Sequence, residues 1–156
     1  MTPAGTGLAQ TVDAFVAAFN EPEPDLDKVM SFFADDATYL PGKKPERRGL
    51  AAIRAEFAPQ FAGRFGAMTF DVYDRVIDEP HRRATIRWVC RLDLTGAHGR
   101  RAMPMLRWFA RARYGGRVQW HGLDVFHFAA DGRISGKFTY ATFRLPRWEA
   151  GDGARQ

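Results

Sequence analysis

Only one cysteine, Cys90, occurs in the 156 residues, so no internal disulfide can form and no zinc site can be built from several thiolates. No run of about eighteen apolar residues is present, and the opening MTPAGTGLAQ has neither the basic region nor the apolar stretch of a secretory signal. A cytoplasmic protein with no membrane partner is the expectation. A glycine-rich phosphate loop, a nucleophilic serine or cysteine motif and an internal repeat are also missing. His121 and His127 fall on one face of a candidate strand, but the pattern brings them no acidic or further histidine partner, so neither a metal nor a cofactor is expected.

What the chain does have is apolar bulk. Hydrophobic residues make up 46% of it, with 13 Phe, 4 Trp and 4 Tyr, enough for the core of one ordinary domain. The formal net charge is +5, and Arg100, Arg101, Arg107, Arg111, Arg113 and Arg117 gather around Trp108, Phe109 and Tyr114. That mixture suits a solvated strand face, a lid over an acidic substrate, or single-stranded nucleic acid. No nucleic-acid motif accompanies it, so an anion- or nucleic-acid-binding protein stands third among the functional readings.

Hydrophobic spacing organises the rest. Leu8, Val12, Phe15, Val16 and Phe19 share one helical face that Asn20, Glu21 and Pro22 end. Asp25 offers an N-cap to a second helix burying Leu26, Val29, Met30 and Phe33, which Asp35 and Asp36 should close. A short strand over 37–40 follows. A third helix from Gly49 presents Leu50, Ile53, Phe57 and Phe61, with Pro59 expected to kink or shorten it. After Gly66 the period drops to two, predicting strands over 70–77, 83–94, 117–128 and 133–143. Helices first and strands afterwards imply an α+β fold, a cone-shaped roll of N-terminal helices on a curved, mainly antiparallel sheet. One domain is expected over 8–146, with flexible tails at 1–7 and 147–156. The segment 97–116 satisfies both periods; the strand count favours a helical or irregular insertion, a possible lid.

One residue breaks its pattern. In RVQWHGLDVFHF, Asp124 shares a face with Val118, Trp120, Gly122, Phe126 and Phe128 and is the only ionisable group there. A carboxylate under the helices needs a donor or a cation, and such a group can act as acid or base. It can equally accept bonds that only support the fold. Tyr39 and Tyr140 are the expected polar assistants, and Phe15, Trp88, Trp120, Phe126 and Phe138 the expected walls. Cys90, on an apolar face, is expected to be an inert core residue.

The stretches FFADDATYLPG at 32–42 and VQWHGLDVFHFAADGRI at 118–134, in this order of elements, resemble the nuclear transport factor 2 superfamily. The second is most similar to its SnoaL-like polyketide-cyclase branch. The resemblance implies a cone-shaped pocket for a hydrophobic small molecule, often in a homodimer. It also puts on Asp124 the aspartate that moves a proton or holds the substrate oxygen in the cyclases and ketosteroid isomerases. The isomerases' further tyrosine and base aspartate correspond to Phe15 and Leu40, which argues against steroid isomerisation. Limonene epoxide hydrolases are similar in an arginine and an aspartate two residues apart, matched by Arg91 and Asp93, and in a water-binding tyrosine, matched by Tyr39. Their second aspartate falls at Thr139, and alternation sets Arg91 and Asp93 opposite the apolar face, where an ion pair is their expected role.

Together these readings predict a cofactor-independent lyase, isomerase, cyclase or hydrolase working by proton transfer on a polyketide, steroid or terpenoid. The alternative is a non-catalytic ligand-binding or interaction domain with the same pocket.

Overall fold

The computed structural model describes residues 7–141, leaving aside the side chain of His98. The expected tail at 147–156, nearly all of the one at 1–7, and the expected end of the last strand at Phe143 lie outside the described residues.

Helix α1 (Leu8–Phe19) buries Leu8, Val12, Phe15 and Phe19, the face the spacing predicts. Gly7 supplies no side-chain cap, and the Leu8 N–H donates to Glu79 Oε1 at 2.8 Å, so a residue 71 positions away caps the helix. Helix α2 (Leu26–Met30) starts where expected, the Asp25 side chain accepting from the Asp27 N–H at 2.8 Å. It ends earlier than expected. A turn through Ser31 and Phe32 releases the chain, and Phe33 already belongs to strand β1 (Phe33–Pro41), which carries Asp35 and Asp36 exposed. A two-residue strand β2 (Arg47–Arg48) and helix α3 (Leu50–Phe61) follow, with Pro59 accommodated near the end of α3.

Strands β3 (Ala67–Asp78), β4 (Arg83–Asp93), β5 (Arg117–Phe128) and β6 (Ile134–Ala141) fall where the period-two pattern puts them. The sheet runs β2-β1-β6-β5-β4-β3, antiparallel throughout except for β1 beside β6. That order wraps a curved, open sheet around the N-terminal helices: the α+β roll expected from the order of elements. The core is an aromatic network, with Phe15 edge-on to Phe19, Phe32, Phe33 and Phe126 at ring separations of 5.0–5.7 Å.

The segment that satisfied both periods is helical: α4 (Gly96–Gly99) and α5 (Pro104–Tyr114). Helix α5 opens on Pro104 and stops at Gly115, whose φ of 71° only glycine adopts without strain. It covers a second apolar cluster of Leu92, Leu94, Ala102, Ala110 and Val118. It contributes no residue to the cavity described below.

Candidate functional site

Between the helices and the concave face of the sheet lies a cavity of about 310 Å³. Its apolar wall includes Phe15 and Phe19 from α1, Phe57 from α3, and Trp88 and Trp120 from β4 and β5. The volume is at the lower end of the range typical of small-molecule sites, roughly 300–1,000 Å³.

Asp124 lines this cavity at 5% exposure, and Lys137 beside it is equally buried. Strand register explains their meeting. Asp124 lies opposite Thr139, Lys137 opposite Phe126, and Tyr39 beside Lys137 across the parallel pairing, so the four polar side chains occupy two adjacent rows. Lys137 Nζ reaches Asp124 Oδ1 at 2.9 Å, the Thr139 hydroxyl donates to the same oxygen at 2.6 Å, and Lys137 Nζ donates to Thr139 Oγ1 at 2.8 Å. No hydrogen bond among the described residues reaches Asp124 Oδ2, so Lys137 and Thr139 both engage the same carboxylate oxygen. Lys137 Nζ also stands 5.0 Å over the Tyr39 ring and 5.7 Å over that of Phe126. Burial first, and then the field of Asp124, push the Tyr39 phenol far above its ordinary value, with Thr139 opposing. Tyr39 is therefore a neutral hydroxyl, able to donate but not to act as a base at ordinary pH.

Glu56 sits on the cavity wall and holds Lys44 at 2.5 Å and Arg47 at 3.1 Å. Burial would raise its pKa, but the hydrogen bonds from Lys44 and Arg47 outweigh it and hold the carboxyl below the ordinary range. Stability from this group is thus present at neutral pH and is lost as pH falls through the lowered folded value. Glu56→Gln should remove that acid-side slope at a cost below about 1 kcal/mol at pH 7, read from urea midpoints across the acid range.

Of the residues singled out from sequence, Asp124, Tyr39, Phe15, Trp88 and Trp120 border the cavity. Phe126 is fully buried behind the wall, against Phe15 and Phe128. Tyr140 and Phe138 are on the opposite face: Tyr140 is 55% exposed and Phe138 packs on His127 at 5.1 Å. The reason is a bulge. Phe128 pairs with Ile134 while His127 pairs with Gly136, and this shift turns the side chains beyond it over, putting Lys137, Thr139 and Ala141 inside. Lys137 and Thr139 were accordingly missed as polar partners of Asp124; the glycine at 136, within a strand, was the available mark of the bulge. Arg91 and Asp93 are both off the cavity, Arg91 paired with Asp71, and Asp93 with Arg117 at 3.2 Å and the Thr95 hydroxyl at 2.6 Å. Cys90 is fully buried, and burial pushes its thiol well up.

The sequence profile of the SnoaL-like domain matches residues 12–136. The chain belongs to the SnoaL-like family. No curated protein matches it. Among solved structures, this SnoaL-like chain superposes on SalBIII, an epoxide hydrolase/cyclase-like enzyme of pyran ring formation in the polyether salinomycin. There the TM-score is 0.69 and the identity 17%, covering 90% of this chain and 95% of the other. A putative polyketide cyclase from Xanthomonas campestris pv. campestris gives a TM-score of 0.63 at 19% identity, covering 88% and 91%. An NTF2-like protein of unknown function from Exiguobacterium sp. 255-15 gives 0.61 at 18%, covering 85% and 98%. At these identities the similarity establishes the fold that SnoaL-like chains share.

Proposed function

We propose that the protein is a cofactor-independent enzyme that moves a proton within a small, hydrophobic, oxygen-bearing ligand held in the cavity. The observation that carries this reading is the buried Asp124–Lys137–Thr139 cluster set in an aromatic wall, with one carboxylate oxygen that no described residue bonds. Lys137 and Thr139 hold Oδ1 and compensate its charge, which leaves Oδ2 to take a proton from an acidic C–H or a hydroxyl. The Lys137 ammonium has three N–H donors and spends two on Asp124 and Thr139. The third, with the neutral Tyr39 hydroxyl, is available to a developing oxyanion. The substrate class follows: a carbonyl or epoxide compound of the polyketide or terpenoid kind, small enough for the cavity. Cyclase- and epoxide-hydrolase-like names among the structural neighbours support that class.

The test is exchange of an activated C–H with deuterated water in small cyclic ketones and 1,3-diketones, followed by NMR. Wild type should accelerate exchange, and Asp124→Asn, which keeps the Thr139 bond, should lower the rate at least about a hundredfold. If ligands raise the melting temperature of both proteins equally and neither accelerates exchange, the cavity binds without catalysis; acceleration that survives the change would remove Asp124 as the base.

A further inference from the structure

Helix α5 is amphipathic twice over. Leu106, Ala110 and Tyr114 turn inward onto the second apolar cluster, yet the outward side is not simply polar. Met105 is 84% exposed and Trp108 74%, with Phe109 and Ala112 also open to solvent. At about 100° per residue these four fall on one continuous arc roughly 100° wide, bordered by Arg111 on one side and Arg113 on the other. Residues 94–123 contain six arginines and no aspartate or glutamate. Arg100, Arg101, Arg107 and Arg111 form no ion pair with any described residue.

We infer that α5 docks the protein on an anionic lipid surface, the Met105–Trp108–Phe109 stripe entering the interfacial layer and the flanking arginines meeting lipid phosphates. Charge complementarity selects this occupant. Arginines on both borders of an apolar stripe match a surface with acyl chains beneath a sheet of phosphates. A second copy docked across a two-fold axis would set arginines against arginines. Single-stranded nucleic acid asks for successive ring faces, whereas Met105 and Ala112 occupy the middle of the arc. A helix lying in the interface needs no spanning length, so the lack of a long apolar run does not bear on it. Location gives the docking a use: Met68 and Trp120, which pack with the α5 cluster, also line the cavity, so a docked protein holds its cavity next to the layer where apolar ligands collect.

Flotation of the full chain with phosphatidylcholine vesicles, with and without phosphatidylglycerol, tests this without any turnover. Binding should require phosphatidylglycerol and should weaken, without vanishing, as salt is raised. Trp108→Ser should lower vesicle affinity on the order of tenfold, and Arg111→Glu and Arg113→Glu about fivefold each, with melting temperatures unchanged. Absence of flotation, or flotation indifferent to Trp108→Ser, overturns the inference. So does binding of a single-stranded oligonucleotide, or self-association, that depends on these residues while vesicles are ignored.

Discussion

Lys137→Met should destabilise the fold by about 3–5 kcal/mol, because it leaves Asp124 as a buried carboxylate without its cation. Both partners are 5% exposed, so water cannot take over the compensation, and the Thr139 hydroxyl supplies one hydrogen bond but no charge. The pair itself does not add that much: removing both charges with volume kept is often neutral. Asp124→Asn combined with Lys137→Met should therefore recover most of the loss. Urea denaturation of the two single variants and the double variant measures the coupling, which should exceed about 2 kcal/mol. Additive effects would mean that the two charges are compensated independently. The double variant has a second use, since a stable fold with no proton transfer separates the chemistry of the cluster from its contribution to folding.

Gly122→Ala should cost about 1–3 kcal/mol and abolish ligand binding in the cavity. Gly122 pairs with Trp88 across β4 and β5, and an added Cβ would stand 2.2 Å from two carbons of the indole ring. A methyl at that distance cannot be absorbed by a flexible side-chain end. The ring must leave its place, and the cavity it lines is open space beside it. Against this stands the gain from stiffening the unfolded chain, about 0.4–1 kcal/mol, which is smaller. The Trp88 indole N–H finds no hydrogen-bond partner among the described residues, so the displaced ring forfeits none of their bonds, and the cost is steric. Indole fluorescence and the thermal shift given by a bound ligand report the displacement; a variant that binds as wild type does would show that the wall gives way elsewhere.

The fold was largely legible because its strands are long and regular and α1 repeats its apolar residues cleanly. Asp124 was legible for the same reason: alternation over twelve residues of β5 isolates a single charge on an apolar face. The partners of that charge were not. Lys137 and Thr139 lie beyond a bulge, and parity counted straight through Ile134 puts Phe138 and Tyr140 inside instead, a choice their hydrophobicity also recommends. A one-residue irregularity thus exchanged an aromatic wall for a charged one. The early end of α2 is a similar case, where Phe33 satisfies the helical spacing but opens β1. In 97–116 both periods fit, and only the antiparallel pairing of β4 with β5 distinguishes them.

Among the described residues the last strand in sequence, β6, lies inside the sheet, between β1 and β5. During synthesis the ribosome delivers β1 about a hundred residues before β6, a wait of roughly 5–20 s at ordinary elongation rates. Until then β1 and β5 each present an open edge, and Asp124 has neither its lysine nor its threonine. The nascent chain can settle its helices and the β3–β4 hairpin early, but the Asp124–Lys137–Thr139 cluster is assembled only once β6 has emerged. Loss of β6 would leave two unsatisfied strand edges, on β1 and β5, exposed to other chains.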